Sequence, residues 1–230
     1  VGYLRYGFSA DKIARYPDEK AFRLDYLSAV QAYEGVRRSI DAMPQGEEAS
    51  AEVLDQEARL RSAMDSFTHL RPVVPGEVIA VPLLLPHALQ HGVRVVEFQT
   101  PVYEREILSF AQRVLTQEHW DTATVLEQMQ LLAPPDPAPL LLQQGPGLRL
   151  ERVAQCEDFE IRRLTLAQGA SFSYEVLADY CLLLVIAGQI ELGDTSYGAE
   201  QAALLPAEWV GQLTALQAAP ELVLLLATPG

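Results

Sequence analysis

Hydrophobic and polar positions change period several times along the chain. Gly2 to Phe8, "GYLRYGF", reads as a short strand, and the pattern then lengthens. Ser9 and Asp11 offer N-cap oxygens, and Asp18 after Pro17 opens a second helix. Over "DEKAFRLDYLSAVQAYEGVRRSIDAM", Phe22, Tyr26, Val30, Tyr33, Ile40 and Met43 fall on one stripe beside a charged face. "PQGEE" breaks that helix. A third helix runs to about Phe67, with Val53, Glu57, Leu60, Met64 and Phe67 on one face. The two long segments predict a helical hairpin that packs through its stripe.

From Leu70 the period switches to two. "PGEVIAVP" reads as a tight turn and a short buried strand, and "VRVVEFQ" as another, with Gly92 as the turn between them. "WDTATVLEQMQLL" (Trp120 to Leu132) returns to helix with Asp121 as N-cap. "APPDPAPLLLQQGPG" (Ala133 to Gly147) is dense in Pro and Gly and reads as a linker. After it, eight short apolar segments from "LRLERVAQ" to "ELVLLLATP" alternate with turn signals, the pattern of a sandwich or jelly roll. The expected organisation is a strand at 1–8, a helical segment at 9–69, further strands and a helix at 70–132, a linker at 133–147 and a second β domain at 148–230.

Composition narrows the function classes. Of 230 residues, 17 are Lys or Arg and 31 Asp or Glu, a net charge of −14. Such a field repels nucleic-acid phosphates and anionic lipid, so neither is an expected partner. Cys156 and Cys181 lie in apolar or strand-like contexts, which predicts reduced, buried thiols in a cytoplasmic protein. "CLLLVIAG" and "LVLLLATPG" are far shorter than the roughly 20 residues that a spanning helix needs. The start "VGYLRYGFSADK" lacks the order of a signal peptide. The chain carries no G-x-S-x-G, Walker, C-x-x-C or H-E-x-x-H motif.

One constellation points to chemistry. Gly76, Pro82, His87 and His91 stand at G-x5-P-x4-H-x3-H spacing. A strand that ends in a proline turn followed by histidine is a way for a small barrel to place a ligand in its mouth. On the next predicted strand, alternation puts Val93, Val95, Glu97 and Gln99 on one face. A glutamate among valines suits proton transfer, because apolar surroundings raise a carboxylate's pKa. The bland reading is a satisfied histidine beside a turn. His69, His91 and His119 stand at no obvious ligand spacing, and zinc needs three or four donors.

"PGEVIAVPLLLPHAL" followed by "VVEFQTPVYER" resembles the catalytic barrel of type I mannose-6-phosphate isomerases, of the cupin superfamily. It is similar in particular to a bacterial branch with a helical segment beside the barrel and a continuation like "ILSFAQRVLTQEHWD". The resemblance covers most of Val1 to Leu132. It implies a mainly β fold with an α-helical insertion: two cupin-like jelly-roll barrels, the first incomplete, plus the helical hairpin. Residues 148–230 would be a second, degenerate barrel without metal-binding histidines.

The resemblance implies zinc bound partly by His87, proton transfer by Glu97 and charge stabilisation by Arg105. The remaining ligands would be a Gln or Glu, a His and a Glu from strands preceding residue 1. Leu84 stands where the family usually carries glycine. The implied reaction interconverts mannose 6-phosphate and fructose 6-phosphate through an enediolate. The other expectations are an inactive fragment, a sugar-phosphate binding module, or an interaction protein docking through the hairpin.

Overall fold

The structure, a computed structural model, describes residues 1–100, 106–110, 120–215 and 221–230. The chain divides into two compact units, Val1–Glu77 with Val81–Pro135, and Val78–Ala80 with Asp136–Gly230. The fold is mainly β with an α-helical insertion.

In the first unit, β1 (Gly2–Phe8) is the central strand of a three-stranded antiparallel sheet, between β2 (Thr68–Val73) and β3 (His87–Leu89). The chain leaves β1 through α1 (Ala10–Ile13), where the Ser9 hydroxyl accepts from the Lys12 amide. Helix α2 (Glu19–Asp41) starts at Asp18, whose carboxylate accepts from the Ala21 amide at 2.7 Å, and α3 (Ala51–Asp65) starts at Ser50. Each cap satisfies an amide that the first turn would leave unpaired. The predicted stripe is the buried face: Phe22, Tyr26, Val30, Tyr33 and Met64 are at most 1% exposed. Phe8 from β1 enters this core and meets Phe22, Tyr26 and Phe110 edge-on at centroid distances of 4.8–5.6 Å. Arg5 binds the carboxylate and carbonyl of Asp65, tying the sheet to the end of α3.

Three expectations for this region change. Residues 77–82 and 93–100 form no strand; they run as irregular backbone. Strand formation needs a pairing partner, which alternation in one segment cannot report. Trp120–Leu132 forms only the short α4 (Thr122–Val125). Asp121 gives its carboxylate to the Ile107 amide at 2.8 Å and makes no side-chain cap bond to α4. The carbonyls of Leu126 and Met129 instead accept from the guanidinium of Arg23, a buried residue of α2.

The second unit holds β4 (Leu140–Gly145), β5 (Leu148–Gln155), β6 (Phe159–Leu166), β7 (Ser171–Glu175), β8 (Tyr180–Ala187), β9 (Gln189–Leu192), β10 (Thr195–Gly198), β11 (Ala202–Pro206), β12 (Val210–Ala215) and β13 (Leu222–Pro229). One sheet runs β11-β8-β13-β6-β5-β4 and the other β10-β9-β12-β7. From β7 onward the chain passes back and forth between the two sheets, the connectivity of a jelly roll. Leu164, Leu166, Leu183, Val185, Ile190, Leu213, Leu222 and Leu224, none exposed, belong to its core. Strand β4 lies inside the stretch expected to be a linker. Its partner is β5, and Pro146-Gly147 makes the turn, with Gly147 at φ +68°. Cys181 is buried as expected, whereas Cys156 is exposed in the bend after β5.

Candidate functional site

His87 opens β3 directly opposite Tyr6 of β1. Leu85 and Pro86 before it are buried, and the Pro86 carbonyl accepts from the Gly7 amide at 2.9 Å, so the chain enters β3 firmly held. The imidazole itself is exposed. Its Nδ1 lies 3.0 Å from the Leu85 carbonyl oxygen. A carbonyl can only accept, so Nδ1 is the donor of this bond, and in the neutral tautomer that makes it Nε2 carries no hydrogen. That nitrogen can take a proton, accept a hydroxyl or bind a cation.

The turn before it is unusual. Leu84 has φ +62°, the left-handed region that favours glycine, and it is 49% exposed. Its amide–carbonyl unit is nonetheless used, since the Leu84 carbonyl accepts from the Gln130 amide at 2.8 Å. Leucine thus stands where the backbone takes a conformation that glycine adopts without strain.

Paired positions on neighbouring strands share a face. Leu4 is opposite both Leu89 of β3 and Arg71 of β2, and Tyr6 is opposite His87, so this face carries His87, Tyr6 and Arg71. The Arg71 guanidinium carbon is 5.8 Å from the Tyr6 ring centroid, and its Nη2 binds Glu77 at 3.1 Å. Sequence reasoning missed Arg71 and Tyr6. The available signal was the strand pattern of "GYLRYGF" and "THLRPV", which becomes informative only once the register is known.

Glu97 is exposed in the irregular run 93–100 rather than on a pocket strand, and no ion pair or hydrogen bond joins it to His87. Its apolar setting is absent too, because Val95 and Val96 are 54% and 46% exposed. Arg105 and His119 lie outside the described residues. His91 is an exposed turn residue, and His69 is exposed in β2.

The zinc implied by the resemblance finds no complete donor set. Among the described residues no three His, Cys, Asp or Glu side chains converge on a point that could hold an ion. His87 supplies one donor of the three or four that zinc takes. The described residues thus offer His87 as a single donor and do not by themselves make a zinc site.

No protein-family model matches the sequence, and no curated protein matches it. Solved structures do show likeness. KdgF from Halomonas sp. is 20% identical, with a TM-score of 0.34, over 39% of this chain and 86% of that one. An RmlC-like cupin from Shewanella frigidimarina is 10% identical at a TM-score of 0.33, over 40% and 83%. The polyketide cyclase RemF from Streptomyces resistomycificus is 13% identical at 0.34, over 44% and 80%. Each likeness spans less than half of this chain.

Proposed function

We propose that the chain binds a hexose phosphate on the β1–β3 face and belongs to an aldose–ketose isomerase that interconverts mannose 6-phosphate and fructose 6-phosphate. The observation that carries this reading is the exposed His87 ring with Nδ1 pinned and Nε2 free, on a sheet face shared with Arg71. Nε2 accepts a sugar hydroxyl or a proton, and Arg71, paired with Glu77, lines the same face beside Tyr6. With a net charge of −14, capture of an anion depends on such local cations rather than on the overall field. Glu97 is assigned to proton handling and Arg105 to steadying charge, as the sequence resemblance implies.

A second reading is a sugar-phosphate binding module without turnover. The lack of a three-donor cluster among the described residues favours it. Among those residues no helix is long and apolar enough to cross a membrane. Cys156 and Cys181 are unbridged, and on that ground we assign the protein to the cytoplasm.

The test is nitrogen NMR of the His87 imidazole during titration with mannose 6-phosphate, beside an assay for fructose 6-phosphate with and without added zinc. Isomerase reading: Nε2 shifts saturably and product forms. Module reading: Nε2 shifts without product. An unmoved ring, with binding unchanged in His87→Ala, overturns both.

A further inference from the structure

The interior of the jelly roll in the second unit is not uniformly apolar. Alternation fixes which side chains face inward: Leu150 and Arg152 on β5, Leu164, Arg162 and Glu160 on β6, and Leu226 and Thr228 on β13. Cross-strand register then places one set at one end. Arg152 is opposite Arg162, Leu226 is opposite Arg162, and Thr228 is opposite Glu160. On β8, Leu183 is opposite Leu226, which puts Cys181 one inward position further toward the same end. The Tyr174 hydroxyl reaches the Cys181 sulfur at 3.5 Å, and Tyr174 is opposite Gly211 of β12. Arginines, a glutamate, a threonine, a thiol and a phenol thus gather at one mouth, while Leu150, Leu164, Leu166, Leu222 and Leu224 fill the interior behind them.

The two arginines are the informative pair. Like charges directly opposite on neighbouring strands oppose sheet formation. Glu160 alone serves both, with its carboxylate 3.3 Å from Arg152 and bonded also to Arg162, leaving a local charge of one positive unit. Each guanidinium has five N–H donors, so most of them remain for another acceptor. Their side chains are 32% and 37% exposed, within reach of solvent.

The same mouth holds a tryptophan. Residues 206–209 form a tight turn in which the Trp209 amide donates to Pro206 and Glu208 takes φ +60°. Trp209 is half-buried against the core, and its ring lies over Gly211, where a Cβ would fall 2.5 Å from it. Glycine is required there because of the ring rather than because of the backbone.

We propose that this mouth is a second ligand site, for a phosphorylated monosaccharide whose phosphate takes the free donors of Arg152 and Arg162 and whose ring lies against Trp209. Fork-shaped donors match a tetrahedral anion, and an aromatic wall beside charged groups is the make-up of a small-molecule site. The site is independent of His87.

Calorimetric titration of the full chain with mannose 6-phosphate, mannose and inorganic phosphate tests it. In His87→Ala, which removes the first site, mannose 6-phosphate is expected to bind saturably and at least tenfold more tightly than mannose or inorganic phosphate. Arg152→Gln and Trp209→Ala are each expected to weaken that binding about tenfold or more. Equal affinity for inorganic phosphate overturns the site as one for a sugar, and equal affinity for mannose overturns it as one for an anion. Absence of binding in His87→Ala, or full affinity in Arg152→Gln, also overturns it. Should a variant fail to fold, the indole N–H resonance of Trp209 in His87→Ala decides: it moves with mannose 6-phosphate, or the proposal is wrong.

Discussion

Rings dominate the core of the first unit, where Phe8, Phe22, Tyr26, Tyr33, Phe67, Phe110 and Trp120 are all buried. In the second unit the core is mostly leucine, with isoleucine and valine between two sheets. A helical stripe brings large side chains onto a sheet at widening separations, and rings fill that space edge-to-face. Facing sheets sit about 10 Å apart, which suits interdigitated branched aliphatics. The polar chemistry divides the same way. The first unit shows it at the sheet edge, where exposed His87 stands beside the buried Tyr6; the second confines it to one end of a filled interior.

The largest effect should come from the aromatic core. Phe22 is fully buried and touches Phe8, Tyr16 and Phe67 edge-on. Phe22→Ala is expected to cost about 4 kcal/mol, by urea denaturation followed through aromatic circular dichroism. A cost near 1 kcal/mol would mean that the rings collapse into the space as readily as leucines do, and the contrast between the cores would lose its meaning.

A middle effect belongs to the outer face of the six-stranded sheet. Glu151 is 5% exposed and binds Arg149 of its own strand and Arg163 opposite it, at 2.6 and 3.0 Å. The hydrogen bond from Arg149 is the main cause that holds its carboxyl below the ordinary value of 4.5, with Arg163 assisting against the cost of burial. Glu151→Gln is expected to cost about 2 kcal/mol at neutral pH. Because the folded pKa is the lower one, this stabilisation is full above the unfolded value and is lost as pH falls through the folded value. The gap between wild type and variant, from denaturation midpoints at pH 7 and below 4, should therefore narrow on acidification.

Much of this contrast could be seen in the sequence. Apolar alternation located β5 to β9 and β11 to β13, because each of those strands buries one face within its own unit. The α2 stripe was equally plain. Strand β4 was hidden because all six of its residues are exposed and Pro-rich sequence precedes it, so neither period nor composition marked it. "VRVVEFQ" alternates as a strand does and yet forms no strand, since its fate depends on partners elsewhere in the chain. Thr122, Thr124 and Val125 are β-branched and weaken the helix that the spacing of Trp120–Leu132 suggested. His87 was legible as a motif, whereas its neighbours Tyr6 and Arg71 needed strand register.

The smallest expected effect is a gain. Leu84→Gly removes a side chain from a left-handed position where it is half exposed, and is expected to stabilise the chain by about 1 kcal/mol, read from the thermal midpoint. A loss instead would show that the leucine holds the approach to His87 by packing, making this turn a built part of the site.

Arg23 has a further meaning. Irregular backbone between Leu126 and Met129 leaves two carbonyl oxygens looking for donors, and one planar side chain from a distant helix serves both. Both bonds leave one terminal nitrogen, Nη1, whose two hydrogens are fixed in the guanidinium plane, so the two carbonyls are held at one point of the side chain. The positive residue buried on the inner side of α2 thus works as a clasp for a stretch of chain that never became a helix.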